Sequence, residues 1–248
     1  MYLIGDIGNT DIKIFLFNVK LKIVKKIRFP TISLSNKYFY KKLKFLKIYR
    51  NQDVKILFCS VVPNAYKLIK SNIKKILKKP CQELKNYKLD NLVKIKVNRK
   101  QIGSDRLANA ISVLDNKSNF IIIDFGTATN FDIVLKNKYI GGIIAPGILL
   151  SLNNLISKAS LIPETKLEKI KNVIGKNTNS AIRSGFYHGY SGLIDNIIKL
   201  IIKQTGKSFK VIFTGGLSHL FKNSIKSKVI IKKDLTINGV LKVAKNFK

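Results

Sequence analysis

The chain predicts an α/β protein built from a duplicated domain. Three observations carry this. Short apolar runs rich in β-branched residues alternate with longer stretches of helical periodicity along all 248 residues. At 46% hydrophobic, the composition is sufficient for two buried cores. Most telling, "LIGDIGNTDIKIFLF" and "IIIDFGTATNFDIVL" share one plan: an apolar strand, Asp-x-Gly, a threonine close behind, then a second strand. A signature repeated around a turn indicates a duplicated unit with its two turns facing one cleft. The expected boundary lies near residue 116, giving halves 1–115 and 116–248.

The elements follow in order. Residues 2–5 and 12–17 read as strands around a tight turn at Gly8–Thr10. The lysine-rich stretch 19–28 continues the meander, and 37–50 reads as a surface helix. "VKILFCSVV" (54–62) is a buried strand stopped by Pro63. Tyr66, Leu68, Ile69, Ile73, Ile76 and Leu77 recur at helical spacing over 64–78. "LVKIKV" (92–97) is a short strand. From Leu107, the positions Leu107, Ala108, Ala110, Ile111 and Leu114 trace one helix face. The second half opens with strand, turn and strand over 119–135, then a third strand in "YIGGIIAPG" and a helix over 148–158. Residues 178–203 read as one or two helices, "KVIFTGG" (210–216) as a strand ending in paired glycines, and 236–247 as the last helix.

Bulk properties exclude several classes. The net charge is +34, which alone would suggest nucleic acid. The excess is lysine spread over the whole chain, however, whereas a base-reading surface favours clustered arginine. Nucleic acid is therefore not the expected partner, although the field favours anionic substrates. Cys59 and Cys81 form no CxxC pair and the only histidines are His188 and His219, so a structural zinc site is excluded. The cysteine usage fits a reducing, cytoplasmic location. Asp6, Asn9 and Asp11 break the first apolar run, unlike a signal peptide. The most apolar stretch, "IGGIIAPGILLSL", is interrupted by Gly141, Gly142, Pro146 and Gly147, so no membrane segment is expected.

The two turns carry the chemistry. A glycine turn between strands exposes backbone N–H groups, and Asn9, Thr10 and Thr127 add side-chain donors, which together form a nest for phosphates. An ionised aspartate beside phosphate is repulsive unless Mg²⁺ joins them, taking carboxylate, water and phosphate oxygens together. Lys13 adds a positive charge. For one turn alone, an Asp hairpin cap and a glycine with φ > 0 would suffice as explanation; two matched turns favour phosphate binding. Neither a GxxxxGK[ST] loop nor a GxGxxG after a strand is present. In "QIGSDRLANAISV", Ser104 or Asp105 can cap a helix beginning near Leu107. Alternatively, Asp105 faces the cleft and accepts a substrate hydroxyl proton, with Arg106 beside it to grip a carboxylate. Thr178, in "GKNTNSAIRSG", stands at a helix start. "FTGG" (213–216) permits close approach of a flat ligand such as adenine.

"DIGNTDIK", "SVVP", "GSDRLANA", "IIIDFGTATNFDIV", "YIGGIIAPG", "IGKNT", "SGFYHGY" and "FTGGL" occur in an order that resembles the type III pantothenate kinases, of the sugar kinase, Hsp70 and actin-like superfamily. The resemblance implies two ribonuclease-H-like domains and transfer of the ATP γ-phosphate to the hydroxyl of pantothenate, the first step of coenzyme A synthesis. It implies a homodimer using Mg²⁺ and a monovalent cation, K⁺ or NH₄⁺. By position it makes Asp6, Ile7, Gly8, Asn9, Thr10, Asp11, Ile12 and Lys13 the ATP phosphate loop, with Asp6 holding Mg²⁺ through water. Asp105 matches the proton acceptor, and Gly103, Ser104, Asp105 and Arg106 match the pantothenate segment, joined by Thr178. Asp124 matches the monovalent-cation ligand and Thr127 an ATP contact. The family usually has alanine where Ser104 stands. Lys96 falls where it commonly has a substrate-contacting tyrosine, and its usual glutamate near Gln101 is missing. Two other readings are a nucleic-acid-associated regulator on the same scaffold and a sister kinase with another small hydroxylated acceptor.

Overall fold

The structure is a computed structural model that describes residues 1–32 and 35–246. The chain forms two compact units: Met1–Leu114 together with the stretch from Leu235 onward, and Asp115–Asp234.

In the first unit, β1 (Tyr2–Ile7), β2 (Asp11–Phe17) and β3 (Ile23–Pro30) form an antiparallel meander. Then come α1 (Asn36–Leu43), a 3-10 helix (Lys44–Tyr49), β4 (Lys55–Ser60), α2 (Pro63–Leu77) and two short strands, β5 (Gln82–Glu83) and β6 (Lys94–Ile95). Helix α3 (Ser104–Val113) closes the run. The sheet order is β3-β2-β1-β4-β5, with β1–β4 and β4–β5 parallel. β1 and β4 are apolar almost throughout, as central strands covered on both faces must be. Pro63 ends the strand segment and also opens α2, where its missing N–H and fixed φ suit the first helical position. The 37–50 stretch is less superficial than its lysines suggest, because Phe39, Leu43 and Leu46 are fully buried. Of 92–97, only Lys94–Ile95 are strand.

In the second unit, β7 (Asn119–Phe125), β8 (Ala128–Leu135) and β9 (Lys138–Pro146) form a second antiparallel meander. They are followed by α4 (Ile148–Lys158), α5 (Thr178–Thr205), β10 (Lys210–Gly215), α6 (Ser218–Phe221) and β11 (Val229–Ile231). The strands run β11-β10-β7-β8-β9, with β7–β10 and β10–β11 parallel. This is the order and polarity of the first unit, so the duplication seen in two short motifs extends to these five strands. α5 is a single helix. Asn177 and Ser180 form its capping box, and Gly206 ends it at φ 61.

The last helix, α7 (Leu235–Asn246), requires a correction. Division near 116 assigned it to the second half, but it packs on α3, β1 and β4 of the first unit. Thr236 Oγ1 donates to Asn109 Oδ1 at 2.9 Å, and Lys242 Nζ donates to the Leu114 carbonyl at 2.8 Å. Its apolar face (Leu235, Ile237, Val240, Val243) is buried there. Helical periodicity revealed the helix but could not say which sheet it covers. Position 247 of the expected helix lies outside the described residues. Among the described residues, no helix is long and apolar enough to cross a membrane.

Candidate active site

Asp6 stands one residue from the end of β1, in register with Lys13 on β2 and Cys59 on β4. Lys13 Nζ lies 3.5 Å from Asp6 Oδ2, and the Cys59 thiol donates to Asp6 Oδ1 at 3.6 Å. Burial pushes the Asp6 carboxyl above its ordinary pKa; the Lys13 charge opposes this, and the Asp105 charge adds to it. Two carboxylates thus repel each other in a site where a cation would relieve both. Burial and those same carboxylates push the Cys59 thiol well up, so it stays protonated.

The turn itself is braced from behind. The Gly8 N–H donates to the Asp11 carbonyl at 3.0 Å, Thr31 Oγ1 donates to the Gly8 carbonyl at 2.7 Å, and the Thr31 N–H donates to the Thr10 carbonyl at 2.9 Å. Asn9 and Thr10 are exposed at the tip. The Ile7 and Ile12 side chains are buried in the core, so only their backbones can serve a ligand. Asp11 is paired with Arg28 of β3 at 2.5 Å, which ties the turn to the next strand.

Asp105 lies in the first turn of α3. Gly103 precedes the helix and no side chain caps it, so neither Ser104 nor Asp105 has the expected capping role. Asp105 Oδ1 instead accepts from the Arg106 N–H at 2.8 Å. A Cβ at position 103 would collide with that oxygen in its present rotamer. Burial raises the Asp105 pKa, opposed by the Arg106 N–H and by the charges of Arg106 and Lys85. Ser104 is buried and donates to Glu83 Oε1. Lys96 is exposed beyond β6.

In the second unit, Asp124 occupies the position on β7 that Asp6 has on β1, in register with Asn130 and Thr214. The Gly126 N–H donates to the Ala128 carbonyl at 3.0 Å, and Thr127 is exposed at the tip. Gly215, at φ 86, lies against Asp124: a Cβ there would be 2.7 Å from Asp124 Oδ1 and 2.5 Å from the Phe125 carbonyl. Thr178 is the first residue of α5 and is exposed; the cap is its neighbour Asn177.

Among the described residues, the glycines with positive φ are Gly141, Gly206 and Gly215. Gly8 and Gly126 are not among them, so a φ > 0 requirement does not explain either turn glycine. Within the first unit, the structure brings together Asp6, Lys13 and Asp105. Cys59, Glu83 and Lys85 join that neighbourhood without having been singled out from the sequence. Cys59 had a faint signal, directly preceding "SVVP" at a parallel strand's end. Glu83 and Lys85 had none, because only the fold brings them to α3.

Two sheets of one topology, each carrying an Asp-x-Gly turn, define the actin-like ATPase and sugar-kinase class of α/β fold. Solved structures agree at the level of fold. A Campylobacter jejuni protein described as a Baf family transcriptional activator matches with TM-score 0.59 at 19% identity, covering 98% of this chain and 97% of that one. The inorganic polyphosphate/ATP-glucomannokinase of an Arthrobacter strain matches with TM-score 0.50 at 13% identity, covering 98% of each.

More narrowly, the family description "Type III pantothenate kinase" matches residues 2–200. A type III pantothenate kinase of Pelagibacter ubique is 54% identical over 242 residues, 98% of each chain. The chain belongs to the type III pantothenate kinases, phosphotransferases that phosphorylate pantothenate in coenzyme A biosynthesis.

Proposed function

We propose that this chain transfers the γ-phosphoryl group of ATP to pantothenate, forming 4′-phosphopantothenate, with Asp105 accepting the proton of the attacking hydroxyl. The observation that carries this is Asp105 itself: a half-buried carboxyl with a raised pKa, held by the backbone at the start of α3 and electrostatically coupled to Asp6. Burial suits such a group to proton transfer nearer neutrality than a surface carboxylate. Arg106 takes the pantothenate carboxylate, with Gly103 and Lys96 beside it in the first unit; Thr178 is a separate pantothenate contact, and Ser104, whose buried hydroxyl is given to Glu83, serves the segment from within.

The exposed backbone of Gly8–Thr10 cradles the ATP phosphates, Lys13 adds charge and Thr127 supplies a further ATP contact. Asp11 serves the loop through Arg28, bracing it against β3. No cluster of three metal-ligating side chains exists among the described residues, which fits Mg²⁺ held by the single carboxylate of Asp6 through water and by substrate phosphates. Bound there, Mg²⁺ supplies neutralisation of phosphate charge. Asp124, crowded by the Phe125 and Gly215 backbone, suits a monovalent cation. The protein is cytoplasmic and works as a homodimer, for which exposed Ile144, Leu149 and Leu150 supply apolar surface.

Asp105→Asn tests the central assignment. Pantothenate-dependent ADP release, followed with Mg²⁺ and K⁺ present, is expected to fall by about 10²-fold or more, while circular dichroism stays unchanged. Turnover at the parental rate in that variant would remove Asp105 from the reaction.

A further inference from the structure

We propose that Glu83 is a positioning residue for the phosphoryl transfer, acting through Ser104 to hold Asp105 in place. The inference rests on the assignment of Asp105 above. Glu83 uses both carboxylate oxygens. Oε2 accepts from the Lys85 N–H at 2.6 Å, and Oε1 accepts from the hydroxyl of Ser104, which is 1% exposed. The first bond fixes the carboxylate over its own 3-10 turn (Leu84–Asn86). Arg99 braces that turn by donating to the Lys85 and Tyr87 carbonyls.

The second bond reaches the residue immediately before Asp105. Glu83 itself lies on β5, in register with Phe58 of β4, whose next residue, Cys59, pairs with Asp6 of β1. One hydrogen-bonded route therefore runs from the sheet that carries Asp6, through Glu83 and Ser104, to the start of α3. Helix α3 has no side-chain N-cap of its own, so this bond supplies side-chain anchorage at the end where Asp105 sits. Removing Glu83 leaves the buried Ser104 hydroxyl unmatched, removing Ser104 leaves the half-buried Glu83 Oε1 without its partner, and either frees the segment to shift. The side-chain bonds of Glu83 run to Lys85 and Ser104, beside Asp105, so its effect belongs to the acceptor side.

Steady-state kinetics per folded enzyme, with the folded fraction measured by thermal unfolding, separates this role from a structural one. Glu83→Ala and Ser104→Ala are each expected to lower kcat by about 10- to 100-fold, the cost of misplacing a reacting group by roughly an ångström, with the KM for ATP unchanged; alanine is usual at 104 in the family, but in this chain it takes from Glu83, held at Oε2 by Lys85, the partner of its Oε1. The double variant should lose no more than the worse single one. Glu83→Gln should recover most of kcat, because its amide oxygen can accept from Lys85 while its nitrogen donates to Ser104 Oγ. A kcat within twofold of the parent in both alanine variants overturns the proposal, as does a Glu83→Gln kcat as low as that of Glu83→Ala at equal folded fraction. If Asp105→Asn keeps full turnover, it is the assignment of Asp105 that fails, independently of the Glu83 result.

Discussion

The two Asp-x-Gly turns occupy the same place in two sheets of the same topology, yet their surroundings differ. Asp6 is buried, faces a lysine and a thiol, and is coupled to a second carboxylate. Asp124 is less buried, and in register with it stand Asn130 and Thr214 in place of Lys13 and Cys59. The first turn is held by side-chain and backbone bonds from Thr31; the second is crowded by the positive-φ exit of β10 at Gly215. The carboxylates stand in matching places of the two sheets, and the facing strands give each a different setting. A carboxylate beside a lysine and another acid suits a strongly charged metal–phosphate assembly. One beside an amide, a hydroxyl and backbone suits a singly charged ion.

The largest effect should separate the two acids. Asp6→Asn is expected to lower kcat by about 10²- to 10³-fold, the scale of removing a preorganised electrostatic contact. Asp124→Asn should instead cost about tenfold at moderate K⁺, recovering as K⁺ rises. Mg²⁺ and K⁺ titrations of both variants check this, and equal losses with the same cation dependence would break the distinction.

Stability should separate the glycines. Gly215→Ala forces a side chain into φ 86 and against backbone, and is expected to cost about 2 kcal/mol or more. Gly8→Ala has no such φ, and its Cβ would meet only the Asp11 carbonyl at 3.2 Å, so a cost of about 1 kcal/mol or less is expected. Denaturant midpoints of the two variants measure the gap.

The smallest change makes the first turn resemble the second. Lys13→Asn should raise the KM for ATP by about tenfold, the size of one charge-assisted contact. It also bears on pH. Burial already raises the Asp6 pKa and Lys13 holds it down, so losing the ammonium raises it further. The acid limb of the rate profile, where Asp6 must lose its proton, should therefore move to higher pH. An unmoved limb would show that Asp6 does not govern it.

Much of this was legible in the sequence. Period-2 and period-3.6 patterns located most of the large elements, and the repeated Asp-x-Gly signature exposed the duplication because turn chemistry is local. Asp6 and Lys13 could be selected because charged residue types conflict with an apolar strand end, whereas Asp105 suits a plain helix start and stood out through the family resemblance. Glu83 could not, since a glutamate in a lysine-rich stretch looks solvated until β5 pairs with β4. The sheet assignment of α7 was equally hidden, because amphipathicity identifies a face without naming its partner. The two-residue strands β5 and β6 are too short for any period to register.

That final helix also sets an order of events during synthesis. The chain leaves the first unit at Leu114 and returns to it only at Leu235, so the second unit is topologically an insertion. A nascent chain emerging from the ribosome can therefore close the whole Asp115–Asp234 unit while the older first unit still lacks its cover. Until Thr236 reaches Asn109 and Gly239 settles against the Ala108 carbonyl, the helix bearing Asp105 stays half-clothed. The enzyme's oldest segment is thus the last to mature, and a chain released after Asp234 would leave the second unit whole and the first unfinished.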